Sequence, residues 1–239
     1  MQINAPEKYQ TATELEIIQQ YLPVKDKLIL ELGCGRAWMT RQLAEQFGPC
    51  QIIATEVDII QHEKNLLIDD LPNVTFLAGG AEDIKQEDNS VDVVIMLKSL
   101  HHVPVSLMDQ ALSEVARVLK PGGLAYISEP VYAGDFNDIM RLFNDEKVVR
   151  EEAFAALQRS VAKGELALQQ QIFFNAPGSY RDFDHFDERM LQVTHTDHQI
   201  DDTLYQQIRE AFNRHMGENG AHFLKPSRVD LLQKPSQHN

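Results

Sequence analysis

The sequence predicts an α/β protein with a doubly wound, mostly parallel sheet, and three observations carry that prediction. Short apolar runs and amphipathic helical patterns alternate regularly from residue 28 to residue 130. The runs are nearly continuous in apolar residues, as expected of strands covered on both faces. The first of them leads directly into a turn carrying two glycines, Gly33 and Gly35.

The elements follow in order. TATELEIIQQYL reads as a helix: Thr11 and Glu14 have capping-box spacing, Leu15, Ile18 and Leu22 share a face, and Pro23 ends it. LILEL (28–32) is a buried strand, followed by a helical pattern through Trp38, Leu43 and Phe47 that Gly48-Pro49 closes. QIIATE (51–56), NVTFLAG (73–79) and VDVVIML (91–97) repeat the strand signal, with a polar helix after the first of these. SLMDQALSEVARVL (106–119) is an amphipathic helix stopped by Pro121-Gly122-Gly123, and LAYISEP (124–130) is a fifth strand. Beyond Pro130 the rhythm breaks. One or two helices are expected over 135–163, strands at QQQIFF (169–174) and MLQVTH (190–195), a helix near 203–216 and a last strand near 228–232. The alternation across Arg181–Val193 reads as a half-exposed strand pair. The chain is therefore expected to be one domain, 1–239, with 131–200 an insertion after the fifth strand that covers the sheet as a lid.

Composition narrows the function classes. The net charge of −14 repels phosphate backbones and argues against a nucleic-acid substrate. No apolar stretch approaches the roughly 20 residues that cross a bilayer, and the N-terminus has no secretory pattern. The two cysteines, Cys34 and Cys50, fit no metal-ligand spacing, which points to a reducing cytoplasm.

The chemistry gathers around Glu31-Leu32-Gly33-Cys34-Gly35-Arg36-Ala37. Glycines between a strand and a helix let backbone approach a ligand closely. A dinucleotide loop needs a third glycine three residues after the second, and Trp38 stands there. Glu31 would repel a phosphate and attract an ammonium group. These residues favour a cationic, phosphate-free nucleoside such as S-adenosylmethionine over NAD. Glu56 ends the second strand roughly twenty residues after Gly33, where a carboxylate holds a ribose diol.

At this point the sequence resembles the class I S-adenosylmethionine-dependent methyltransferases, in their small-molecule branch. ELGCGRA is similar to their first motif, with Ala37 at a frequent glycine position; GGAEDI (79–84) resembles their adenine loop, NSVDVVIMLKSLHHV (89–103) their fourth-strand block and EVARVLKPGG (114–123) the next. The resemblance spans about residues 25–130. It implies a Rossmann-like, seven-stranded sheet and S-adenosylmethionine bound by Glu31, Gly33, Cys34, Gly35, Glu56, Val57, Gly80, Ala81, Glu82, Met96 and Leu97. Gly80 stands where an aspartate often binds the adenine amine, so Glu82 or backbone is the expected reader. Met96 or Leu97 would floor the adenine pocket.

Candidate catalytic groups are His101, His102 and Tyr132. One histidine turns the chain after the fourth strand and the other faces the acceptor. Lys98 is either a snorkelling lysine or an acceptor contact, and Cys34 is a packing residue. His195, Asp197 and His198 lack the spacing of convergent ligands, so no metal is expected. The expected reaction is methyl transfer to a small-molecule acceptor by in-line displacement, with alignment supplying most of the acceleration. Phe136, Phe143, Phe173, Phe174, Tyr180 and Phe183 could wall the acceptor pocket. The alternatives are a methyltransferase for protein or RNA, and a non-catalytic relative that binds the nucleoside. A homodimer is possible.

Overall fold

The computed structural model describes residues 1–48, 50–192 and 199–236. Its elements are β1 (Gln10–Thr11), α1 (Glu14–Tyr21), β2 (Leu28–Leu32), α2 (Trp38–Gln46), β3 (Gln51–Glu56), α3 (Ile59–Asn65), β4 (Val74–Ala78), β5 (Val91–Leu97) and α4 (Met108–Val118). They continue with β6 (Leu119–Pro130), α5 (Asp135–Met140), α6 (Lys147–Lys163), β7 (Ala167–Tyr180), α7 (Phe183–Met190), α8 (Asp202–Asn213), β8 (Met216–Gly217) and β9 (Gly220–Gln233). The strands form one sheet in the order β1-β7-β9-β6-β5-β2-β3-β4, with β8 paired to β9. All neighbours from β6 through β5, β2 and β3 to β4 run parallel. β9 runs antiparallel to β6, β7 and β8. The sheet thus has nine strands where seven were expected; the extra two, β1 and β8, are two residues each and too short to show a period.

Three further expectations change. The capping box of α1 is made by Thr13 and Glu16, with Thr13 N–H donating to Glu16 Oε2 at 2.7 Å and Glu16 N–H to Thr13 Oγ1 at 3.3 Å. Thr11 belongs to β1, and Glu14 turns inward to accept from the Tyr126 hydroxyl at 2.7 Å and Ser128 Oγ at 3.0 Å. The strand pair read across Arg181–Val193 is instead a helix over Phe183–Met190. Asp182 caps it by accepting from His185 N–H, and Phe183, Phe186 and Met190 recur at helical spacing. The rest of that expected strand, 193–195, lies outside the described residues, as do His195, Asp197 and His198. Finally, β7 and β9 extend well past their apolar centres, to 14 residues each. Pro177 is tolerated in β7 because β1 reaches only to Asn175, which leaves that end of β7 at the sheet edge.

Burial divides into three clusters. One lies between the sheet and helices α4 and α6, around Leu112, Val115, Ile127 and Leu157. A second lies on the opposite face under α1 and α2, around Ile18, Leu43, Tyr126 and Phe174. The third, Ile139, Tyr180, Phe183, Phe186, Ile208, Phe212 and Phe223, joins α5, α7 and α8 to the ends of β7 and β9. It is drawn almost wholly from the chain after Pro130, which also contributes β7 to the sheet itself.

Candidate functional site

The site grows from the carboxyl ends of β2, β3 and β5, where open parallel sheets gather their ligands. After β2 the chain takes the left-handed conformation at alternate residues, with φ of 78° at Gly33, 52° at Gly35 and 57° at Ala37. Ala37 therefore occupies a position that suits glycine, which accounts for the departure from the first motif at tolerable strain. Gly33 N–H and Cys34 N–H both donate to Thr55 O, at 3.0 and 2.9 Å, and tie the loop to β3. A Cβ on Gly33 would stand 2.8 Å from Ser99 Cβ, whereas one on Gly35 would meet nothing within 4 Å. The loop is packed behind and open in front.

Glu56 closes this cradle. One carboxylate oxygen accepts Gly35 N–H at 2.7 Å, and the other accepts Val57 N–H at 2.9 Å and Asp58 N–H at 3.0 Å. Next to it Val57 is 64% exposed and presents an apolar face outward. Glu31 sits deeper, 2% exposed, and accepts from Thr40 Oγ1 at 2.6 Å. Burial pushes its carboxyl up to about 7, and the Thr40 bond offsets only part of that. Cys34 is also buried. Burial, with the charges of Glu31 and Glu56, lifts its thiol to about 12, so it packs and does not react. Asn65 Nδ2 spans to Gly35 O at 2.7 Å and braces the loop from α3.

Gly80 has no Cβ, and the volume a Cβ would take is filled by the Glu82 carboxylate, whose oxygens would lie 2.4 and 2.5 Å from it. The acid missing at position 80 is thus returned by a side chain two residues on. Ala81 is buried beside it. Of the two floor residues, Met96 is packed into the core on the α4 face, while Leu97 is half-buried on the other face. These placements bring Glu31, Gly33, Gly35, Glu56 and Val57 around one open cradle.

The acidic and imidazole groups form a second cluster. His101 is 4% exposed, and its Nδ1 hydrogen-bonds the Glu129 carboxylate, which also accepts Leu100 N–H at 3.0 Å. Nε2 of His101 faces Glu146 Oε2 at 3.8 Å. Burial alone would raise the Glu146 carboxyl, but the charges of His101 and Arg150 hold it below the usual range. The exposed His102 ring lies 4.2 Å from that of His101. Ligand-type atoms of His101, His102 and Glu146 fall within 4.8 Å of one another, close enough for a metal ion. Arg150 Nη2, however, already donates to Glu146 Oε2 at 2.6 Å and opposes a cation there. Tyr132 is half-buried; its hydroxyl is raised by burial and by the hydrogen bond to Asp145, one residue from Glu146. Glu146 carries no motif of its own, since its role comes from pairing with His101 in a distant segment. Of the aromatic set, Phe136, Phe143, Tyr180 and Phe183 share the third cluster, whereas Phe174 is sealed in the sheet core and Phe173 packs edge-on against Tyr9.

Residues 29–123 match a family described as a methyltransferase domain. An uncharacterized methyltransferase of Mycobacterium tuberculosis is 36% identical over 121 residues, which is 51% of this chain and 47% of that one. A fatty-acid O-methyltransferase of Mycolicibacterium smegmatis is 34% identical over 105 residues, 42% of this chain and 36% of the relative. The chain spans about half the length, or less, of the curated relatives it matches. Among solved structures, the YcgJ protein of Bacillus subtilis superposes with a TM-score of 0.66 at 21% identity, covering 93% of this chain and 98% of that chain. The cyclase SpnF superposes at 0.58 with 19% identity, covering 92% and 79%. These likenesses show the fold.

Proposed function

We infer, from the premise that residues 29–123 form a class I S-adenosylmethionine-dependent methyltransferase domain, that this chain transfers a methyl group to an apolar small-molecule acceptor. The observation that carries this reading is the Glu56 carboxylate beside the open front of Gly35. A buried acid there is placed for a ribose diol, and a phosphate would be repelled by both Glu56 and Glu31. Glu31 suits the ammonium of the methionyl part, Val57 and Leu97 suit the faces of the adenine, and Glu82 with the 80–81 backbone suits its amine.

When bound, S-adenosylmethionine supplies a methyl group on sulfur, activated for in-line displacement. The residues of the chain then act by alignment and exclusion of water. Glu129 fixes the orientation of buried His101, which holds the turn after β5. We assign the exposed His102 and the half-buried Tyr132 to the acceptor side. We assign the chain from 131 to 200 the role of covering this acceptor space. An apolar acceptor agrees with the net charge of −14 and with the third, aromatic cluster. It also agrees with the fatty-acid substrate named for one relative.

Calorimetric titration with S-adenosylhomocysteine tests the reading. Glu56→Ala should weaken binding by about 1.5–3 kcal/mol, the range for hydrogen bonds to a charged group. Wild-type affinity in that variant would remove Glu56 from the site.

A further inference from the structure

Lys225, on β9, occupies a built environment. It lies two residues before Ser227, which pairs with Pro130 at the carboxyl end of β6. Its Nζ stands 3.8 Å from the centre of the Phe136 ring and 5.0 Å from that of Tyr180, and donates to the Tyr180 hydroxyl at 3.1 Å. Its stem crosses Gly178, where a Cβ would come within 2.6 Å of Lys225 Cε. Two rings, a hydroxyl and a glycine thus hold one ammonium group in place.

The charges around it are of one sign. Burial, together with Lys98 and Arg189, depresses the Lys225 amine to about 8. Among the described residues, neither Lys225, Lys98 nor Arg189 makes an ion pair, in a chain whose net charge is −14. Lys98 acts on the buried Glu14, whereas no acidic group among the described residues acts on Lys225. Lys98 itself follows β5 with a φ of 55°, a strained conformation of the kind that collects at functional positions. Among the described residues, no carboxylate pairs with this half-buried cation, which stands beside apolar rings at the sheet end that receives ligands.

We propose that Lys225, supported by Lys98, is an anchoring subsite for the carboxylate of an organic acid whose apolar body lies along the half-buried Phe136. The subsite rests on the methyl-transfer reading only in being placed on the acceptor side; it concerns binding, and the anchored carboxylate is held by charge and hydrogen bonding with no bond made or broken.

The test is calorimetry on the protein saturated with S-adenosylhomocysteine, using phenylacetate and octanoate against phenylacetamide and octanamide. The acids should bind at least about tenfold more tightly than the amides, the scale of a charge-assisted hydrogen bond. Lys225→Met should reduce the acids to the level of the amides with S-adenosylhomocysteine affinity retained, and Lys225→Arg should keep the preference. Equal affinity for acid and amide, an unchanged preference in Lys225→Met, or displacement of phenylacetate by inorganic phosphate would each overturn the proposal. Should Lys225→Met not fold, the acid–amide comparison in the wild type and in Lys98→Gln decides. Should S-adenosylhomocysteine itself not bind, the cofactor reading falls, and the same acid–amide comparison on the free protein still decides the subsite.

Discussion

At the scale of single residues, the site is a set of carboxylates in unlike surroundings. Glu31 is buried with one hydroxyl partner, and its folded value of about 7 lies above the ordinary 4.5. Its contribution to stability is therefore complete below about pH 4.5 and is lost as pH rises through about 7. Relative to Glu31→Gln, the wild type should lose on the order of 3 kcal/mol of stability between pH 5 and pH 8. Urea melts of the two proteins at both pH values measure this, and parallel profiles would contradict it. Glu82 offers a second residue-scale outcome. If its carboxylate stands in for an acid at position 80, Glu82→Ala should weaken S-adenosylhomocysteine binding by about 1.5–3 kcal/mol. Adding Gly80→Asp to that variant should restore much of the loss, whereas Gly80→Asp alone should perturb the site, because Glu82 already fills the space. Additive losses in the double variant would refute the substitution.

At the scale of elements, what differs between the two halves of the chain is where their apolar faces go. The strands and helices up to Pro130 bury theirs against the sheet. Helices α5, α7 and α8 bury theirs against one another and the ends of β7 and β9. Phe186 is fully buried at the middle of that cluster, with the Phe212 ring 4.9 Å away. Phe186→Ala should cost about 3–5 kcal/mol. The loss should fall on the elements after Pro130 first: hydrogen exchange in α7 and α8 should accelerate more than in β2 or β5. Uniform acceleration through the sheet would show that the cluster and the sheet unfold as one.

At the scale of the whole molecule, fold and reaction are separate matters. The cyclase SpnF shares this fold, so methyl transfer must be argued from the site and not from the sheet. Ligand identity can be read from the protein as a whole. S-adenosylhomocysteine at one hundred times its dissociation constant should stabilise the folded state by about 2.7 kcal/mol, because it binds that state alone. For a domain of this size that raises the melting temperature by about 5–11 °C. NAD at the same concentration should leave it unchanged, and a larger shift with NAD would overturn the roles given to Glu31 and Glu56.

The sequence by itself determined the alternation of strands and helices from β2 to β6. Their apolar runs and breakers are local signals, and the bounds of β2, β3 and β5 coincide with the sequence pattern. It also located the cradle, because glycines and a carboxylate at fixed spacing carry their chemistry within a few residues. Tertiary structure decided the rest. The capping box passed from Thr11 to Thr13 because pairing with β7 claimed Thr11. Residues 183–190 became a helix because their aromatic side chains had a cluster to enter, and short aromatic runs suit either period. The His101–Glu129 pair and the setting of Lys225 bring together residues far apart in the chain, and local patterns carry no record of such distances.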